Sequence, residues 1–348
     1  MPGLYSGNTR ESGVVPVSPS SIGSSNLKKR VTAILSRLLF VLSLTGSLNL
    51  FGQAAPVEIG LGLKPPFRFV AYGDARFTDP NNKDASNAAI REELVKAIAD
   101  AHPTFITIGG DLVYNGFDTN DWKEWDTETA EWRDQKIPVY PVLGNHEMHG
   151  NVEQALANYF ARFPDLQHSR YYSVRTANAL FLMLDSNEPE LSGKQGKWLT
   201  QKLDTIPPEI DYLFVVLHHP PFTNSSDLAN LHGGGHSARS PEKKLARLLE
   251  NRQPHMHARI IVFGSHVHNY ERHEHGGITY FVTGGGGAHP YMIPRAPDDP
   301  LRGYDVNYHY LLVEVNKDSV KITMNRVELV DGKAKWNQPD EVTIQAAK

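Results

Sequence analysis

Residues 104–115 read Thr-Phe-Ile-Thr-Ile-Gly-Gly-Asp-Leu-Val-Tyr-Asn. An apolar run of strand length stops at a glycine pair and delivers a carboxylate, Asp111, to the loop beyond. The same construction recurs along the chain. Phe67–Gly73 ends on Asp74-Ala75-Arg76, and Ile137–Leu143 on Gly144-Asn145-His146-Glu147. Tyr212–Leu217 ends on His218-His219-Pro220, and Arg259–Phe263 on Gly264-Ser265-His266-Val267-His268. Ala179–Asp185 and Ile278–Val282 are further strand-like runs. Helical periods fill several of the gaps, at Asn87–His102, Asp121–Gln135, Val152–Phe163, Lys194–Leu203 and Pro241–Asn251. Tyr308 to Ile344 alternates as antiparallel strands about an Asp331-Gly332 turn. Strand–helix alternation followed by a strand-rich tail predicts an α/β sandwich with sheets inside and helices outside.

Composition narrows the chemistry. The chain has 348 residues, 40% hydrophobic and 21% charged, which excludes collagen-like, coiled-coil and wholly disordered architectures. A net charge of -4 gives no basic surface for a nucleic-acid polymer. There is no cysteine, so disulfides, thiol nucleophiles, iron–sulfur clusters and cysteine-based zinc sites are excluded together. The 16 histidines, none before His102, point instead to metal or acid–base chemistry. Residues 1–55 read as a polar extension and a secretory leader. Lys28-Lys29-Arg30 precedes an apolar run from Val31 to Phe51, and Gly52-Gln53-Ala54-Ala55-Pro56 supplies the small residues of a cleavage site. Export to a periplasmic or extracellular space follows, the alternative being a membrane anchor at residues 31–51. Residues 56–348 then form one catalytic domain, with no stable membrane association after cleavage.

Five strand ends thus present Asp, Asp, Asn, His and His-x-His at one edge, where ligands bind in open α/β sheets. Singly, each has a structural reading: a Gly-Asp pair makes a turn, and one of two alternating histidines packs in the core. Jointly they are hard and borderline donors, too many for one ion. Two ions about 3.5–4 Å apart, sharing a carboxylate, would use all of them.

Asp74, Asp111, Gly144-Asn145-His146-Glu147, Val215-x-x-His218 and His266-Val267-His268 resemble the five-block signature of the calcineurin-like metallophosphoesterases. The resemblance runs from roughly Phe67 to Val313. Gly110-Asp111-Leu112-Val113-Tyr114 and Ser265–Arg272 are similar to the purple acid phosphatase branch in particular. The resemblance implies a four-layer α-β-β-α sandwich of two mixed sheets with a dinuclear site at the carboxyl ends of the strands. It implies a first ion on Asp74, Tyr114 and His268, bridged by Asp111 to a second on Asn145, His218 and His266. The ions would be Fe(III) and a divalent iron, zinc or manganese, with Tyr114 giving the ferric colour. His146 would contact the phosphoryl group or protonate the leaving oxygen. His232 and His236 resemble in position the substrate-contacting histidines of that branch; otherwise they belong to a solvated glycine-rich loop.

Two residues depart from the pattern. Arg76 stands where most of the superfamily has histidine and the purple enzymes have glycine. Its guanidinium stays protonated and cannot be a ligand; it either clamps a phosphate oxygen or forms a surface ion pair. Tyr114 either completes the first site or merely packs, leaving that ion weakly held. Ser265 replaces the glycine usual before the last block. His219 is an alternative ligand to His218, though Pro220 favours His218. Gly284–Gly287 either cradles phosphate or lets the backbone pass close under the site. Trp122, Trp125 and Trp132 read as packing residues, and His255, His257, His273 and His275 as loop residues.

The implied function is hydrolysis of a small phosphate monoester, with a hydroxide bridging the two ions as nucleophile. A phosphodiesterase or nucleotide hydrolase on the same scaffold is the rival reading, and a non-catalytic phosphate-binding protein the remote one.

Overall fold

The computed structural model describes residues 56–187, 191–226, 236–304 and 306–347, so the leader read at residues 1–55 and His232 lie outside the described residues. The strands are β1 (Glu58–Gly60), β2 (Phe67–Tyr72), β3 (Phe105–Ile108), β4 (Val139–Pro141), β5 (Tyr172–Arg175), β6 (Ala179–Met183) and β7 (Tyr212–Val216). They continue with β8 (Arg259–Gly264), β9 (Tyr270–His275), β10 (Ile278–Thr283), β11 (Tyr308–Val315), β12 (Ser319–Val330), β13 (Lys333–Asn337) and β14 (Glu341–Gln345). One mixed sheet has the order β13-β12-β11-β2-β3-β4, with β14 also on β12; the other has the order β1-β5-β6-β7-β8-β10-β9. The helices are α1 (Ala88–Asp100), α2 (Thr119–Glu128), α3 (Ala130–Asp134), α4 (Val152–Arg162), α5 (Gly193–Asp204) and α6 (Ser240–Arg252). This is the expected four-layer sandwich.

The pleat explains why the central strands are apolar throughout. Along β7, Tyr212, Phe214 and Val216 face the inter-sheet core, while Leu213 and Val215 join Leu199, Leu203, Leu245 and Leu249 beneath α5 and α6. Both faces are covered, so a continuous hydrophobic run replaces alternation. Between the sheets, Phe69 stacks on Phe105 at 5.1 Å and meets Phe181 and Phe214 edge-on at 5.0 and 5.2 Å. Truncating such a ring costs about 3–5 kcal/mol. On the other sheet, α1 buries Ile90, Leu94 and Ile98 along one stripe and is capped by Asn87, whose side chain accepts from the Ile90 amide.

Three strands and one break escape the sequence reading. β1 and β5 are short, and β9 (Tyr-Glu-Arg-His-Glu-His) is an edge strand pairing only with β10, where charge is tolerated. His273 and His275 therefore lie on a strand and not on loops, His275 stacking on Phe222 at 4.1 Å. The single helix expected at Asp121–Gln135 is two, because the Thr129 hydroxyl donates to the Trp125 carbonyl at 2.5 Å and ends α2. Trp122, Trp125 and Trp132 are buried as expected.

Candidate metal centre

The loops beyond β2 and β3 are zipped together by main-chain bonds. The Asp74 amide donates to the Gly110 carbonyl, the Arg76 amide to Asp111 and the Phe77 amide to Leu112, at 3.1, 2.9 and 2.7 Å. Such a tight crossing goes with left-handed backbone: φ is 59° at Asp74, 49° at Arg76 and 52° at Asp111; beyond β8, His266 is also left-handed, at 68°. Each costs of order 1–2 kcal/mol in a non-glycine residue and persists only where the surroundings dictate it. Gly284 lies under the loop for want of room, since a Cβ there would come within 2.7 Å of Asp74 Oδ2. That is the close-passage reading of the glycine run.

Glu147 anchors the arrangement from below. Its two oxygens accept from four amides, those of Asp111, Leu112 and Gly144 at 2.8 Å and that of Val113 at 3.2 Å. The loops carrying Asp111 and Asn145 are thereby fastened to one carboxylate.

Above it the donors converge. Asp111 and Asp74 are fully buried. Asp111 Oδ1 accepts from the His146 amide at 3.0 Å and lies 3.3 Å from His218 Nε2. His218 Nδ1 must carry the proton, because it meets the Gly109 carbonyl at 2.8 Å. Its Nε2 lone pair then faces Asn145 Oδ1 at 2.9 Å and His266 Nδ1 at 3.1 Å. On the other side, His268 Nδ1 donates to the His289 carbonyl at 2.6 Å. His268 Nε2 and Asp74 Oδ1 are both buried without a hydrogen-bond partner and stand 3.6 Å apart. Lone pairs aimed at one another in a dry site suit a cation. A second proton on the imidazoles is a poor substitute, for burial holds His218, His266 and His268 below the usual imidazole range. Burial and the Asp111 charge push Asp74 well up; burial would also raise Asp111, but His218, His146 and Arg76 outweigh it and hold it down. Asp74, Asp111 and His218 can each offer one atom within 4.8 Å of the others, as can His218, His219 and His266. The donor set of two carboxylates, one amide and three imidazoles fits divalent or trivalent ions.

The remaining expected residues divide. His146 stacks near Tyr114 at 5.4 Å between ring centres, donates from Nδ1 to the Tyr114 carbonyl at 2.6 Å and brings Nε2 to 3.8 Å from Asp111 Oδ2. His236 lies against His266 at 4.1 Å between ring centres. His219 is held by Ser186, its Nδ1 2.8 Å from the hydroxyl oxygen. Arg76 makes no surface pair: it donates to Asp111 Oδ2 from Nε and Nη2, at 3.3 and 3.1 Å. The strand-end motifs give no sign of Tyr291. Its ring stacks on His268 at 4.2 Å, its hydroxyl lies 3.4 Å from His236 Nε2, and burial pushes its phenol up to about 12. It sits in a loop outside every motif, so only the fold brings it in.

A family model described as calcineurin-like phosphoesterase matches residues 67–270. Purple acid phosphatase 15 of Arabidopsis thaliana is 27% identical over 182 residues, covering 47% of this chain and 32% of that protein. Phosphoenolpyruvate phosphatase of Allium cepa is 27% identical over 202 residues, covering 53% and 39%. The chain thus spans less than half the length of either relative. Purple acid phosphatase PPD1 from yellow lupin (Lupinus luteus) superposes with a TM-score of 0.58 at 17% identity, over 84% of this chain and 55% of that one. GAP50, the anchor in the inner membrane complex of Plasmodium, superposes at 0.57 and 17% identity, over 82% and 89%. These two likenesses speak for the fold. With the family match over more than half its length and the donor set in place, the chain belongs to the calcineurin-like phosphoesterases and is a metallophosphoesterase.

Proposed function

We propose that the protein is an exported phosphomonoesterase of the purple acid phosphatase kind, acting on small phosphate esters. The observation that carries the reading is the buried convergence of Asp74, Asp111, Asn145, His218, His266 and His268, in which Asp74 Oδ1 and His268 Nε2 face each other at 3.6 Å with no hydrogen-bond partner. Membership of the family implies two ions. Asp74, His268 and Tyr114 would hold the first, as ferric iron, and Asn145, His218 and His266 the second, as a divalent ion, with Asp111 between them. The chemistry supplied by such a pair is neutralisation of the ester's oxygens and activation of water.

The chain's own residues do the rest. Glu147 fixes the two loops so that the ligands are positioned before substrate arrives. His146, oriented by its bond to the Tyr114 carbonyl, keeps Nε2 facing the centre. There it hands a proton to the departing oxygen, the role open to an imidazole whose other nitrogen is committed. Burial brings that imidazole down to about 4, so the approaching phosphate dianion must raise it before it can act. His236, which lies against His266, would meet the substrate, and the purple acid phosphatase and phosphoenolpyruvate phosphatase relatives support a small monoester as that substrate. Export rests on the basic and apolar leader at residues 28–51.

The test is hydrolysis of p-nitrophenyl phosphate beside bis-p-nitrophenyl phosphate, with and without chelator. Faster monoester turnover abolished by chelation is expected. Preference for the diester would move the protein to phosphodiesterase chemistry on the same centre.

A further inference from the structure

Arg76 occupies a place where its backbone would rather have glycine. Its φ of 49° is strained for a residue with a side chain, and strain of this kind persists at sites that use it. The guanidinium is pulled inward, its side chain only 12% exposed, with Nε and Nη2 converging on one oxygen, Asp111 Oδ2. Tyr291 and Asp74 are both near enough to add their electrostatic attraction.

The two oxygens of Asp111 are therefore committed differently. Oδ1 faces His218 Nε2, to which Asn145 Oδ1 and His266 Nδ1 also point. Oδ2 is already neutralised by a fixed cation. At the first position, among the described residues, Asp74 Oδ1 and His268 Nε2 are buried without a hydrogen-bond partner, 3.6 Å apart, and Tyr114 is the third ligand assigned there. An ion arriving there meets a positive charge at close range in a dry site, and obtains Asp111 Oδ2 only by displacing Arg76.

We propose that Arg76 is a built-in rival of the first ion. While it sits on Asp111 Oδ2, the centre holds one ion tightly, at Asn145, His218, His266 and Asp111 Oδ1, and a second only weakly, at Asp74, His268 and Tyr114. The inference rests on the two-ion reading of the centre and adds to it an inequality that the ligand count alone does not give.

The experiment counts ions without reference to turnover. The full chain is stripped with chelator and titrated with Mn2+ by calorimetry, and retained metal is measured by mass spectrometry after gel filtration. Wild type should retain one ion and bind the second at least about tenfold more weakly. Arg76→Gln and Arg76→Gly should both retain two, with the weaker Kd tightened about tenfold or more, whereas Arg76→Lys, which keeps the charge, should stay near wild type. Glycine suits the backbone and glutamine the packing, so failure of one variant to fold leaves the other to decide. Two equally tight ions in wild type, or unchanged stoichiometry and Kd in the neutral variants, would overturn the role of Arg76. A rise in KM for phosphate esters with unchanged ion binding would make it a substrate clamp and overturn it equally. No ion bound by any variant would instead overturn the reading of the centre.

Discussion

Glu147 touches none of the proposed ligand atoms, yet Glu147→Gln should damage the centre more than most changes nearby. Burial and the neighbouring Asp111 push this carboxyl up to about 8, which alone would leave it protonated at neutral pH. A proton there would find no acceptor, because all four groups around it are amide N–H donors. The ionised form is the one that satisfies them. A glutamine keeps one oxygen, and with it two of the four bonds; its NH2 group then confronts the other two amides donor to donor. Two hydrogen bonds to a charged acceptor are lost, at about 1.5–3 kcal/mol each, so about 3–6 kcal/mol is at stake before relaxation. In a domain of this size that lowers Tm by roughly 6–20 °C. The assay is thermal unfolding of chelated wild type and variant by circular dichroism, followed by Mn2+ retention. The variant should melt early and hold ions poorly, because the loops carrying Asp111 and Gly144 are no longer fastened together. A Tm within about 2 °C of wild type would refute the reasoning, since a neutral carboxyl and an amide are near-equivalents.

Asp111→Asn should abolish turnover and ion retention while leaving the far-UV spectrum intact; near-normal hydrolysis would sink the shared-carboxylate centre. Iron-loaded, oxidised protein should be coloured and Tyr114→Phe colourless; a band that survives in Tyr114→Phe but vanishes in Tyr291→Phe would assign the phenolate to the ring that stacks on His268. His309 is fully buried between the Asn307 carbonyl and Thr283, and burial lowers it to about 4. With an unfolded value near 6.5 the unfolded chain binds that proton first, so stability is lost as pH falls from about 6.5 to about 4, amounting to about 3 kcal/mol. In urea unfolding, His309→Gln should lose about 2 kcal/mol less than wild type between pH 7 and pH 4.5, and an equal loss would show that other groups set the acid limit.

Much of the fold was legible because its central strands are buried on both faces. A run such as Tyr212–Val216 needs no tertiary knowledge to be read as an interior strand, and the candidate ligand follows soon after its end. The edge strand Tyr270–His275 was not legible, since charge on an edge looks like a loop, and the break at Thr129 depends on one side-chain bond. At the centre, Asp74, Asp111, Asn145, His218, His266 and His268 announce themselves by position after a strand. The site of Arg76 in the chain was visible, but its inward turn onto Asp111 was not. Tyr291 and the Ser186 support of His219 come from segments remote in sequence, and nothing in their local spacing marks them.

The two sheets divide the donors by element. Asp74, Asp111 and Asn145 follow β2, β3 and β4 of one sheet and offer oxygen; His218, His266 and His268 follow β7 and β8 of the other and offer nitrogen. Neither half has enough donors by itself, so an ion cannot be captured until the sheets have docked. A metal held by both halves would act as a late clasp across the seam, adding stability that grows with RT ln(1 + [ion]/Kd), about 4 kcal/mol at a thousandfold excess over Kd. The Asp74 carboxylate, which accepts the His266 amide at 2.8 Å across that seam, is the stitch already in place before the clasp closes.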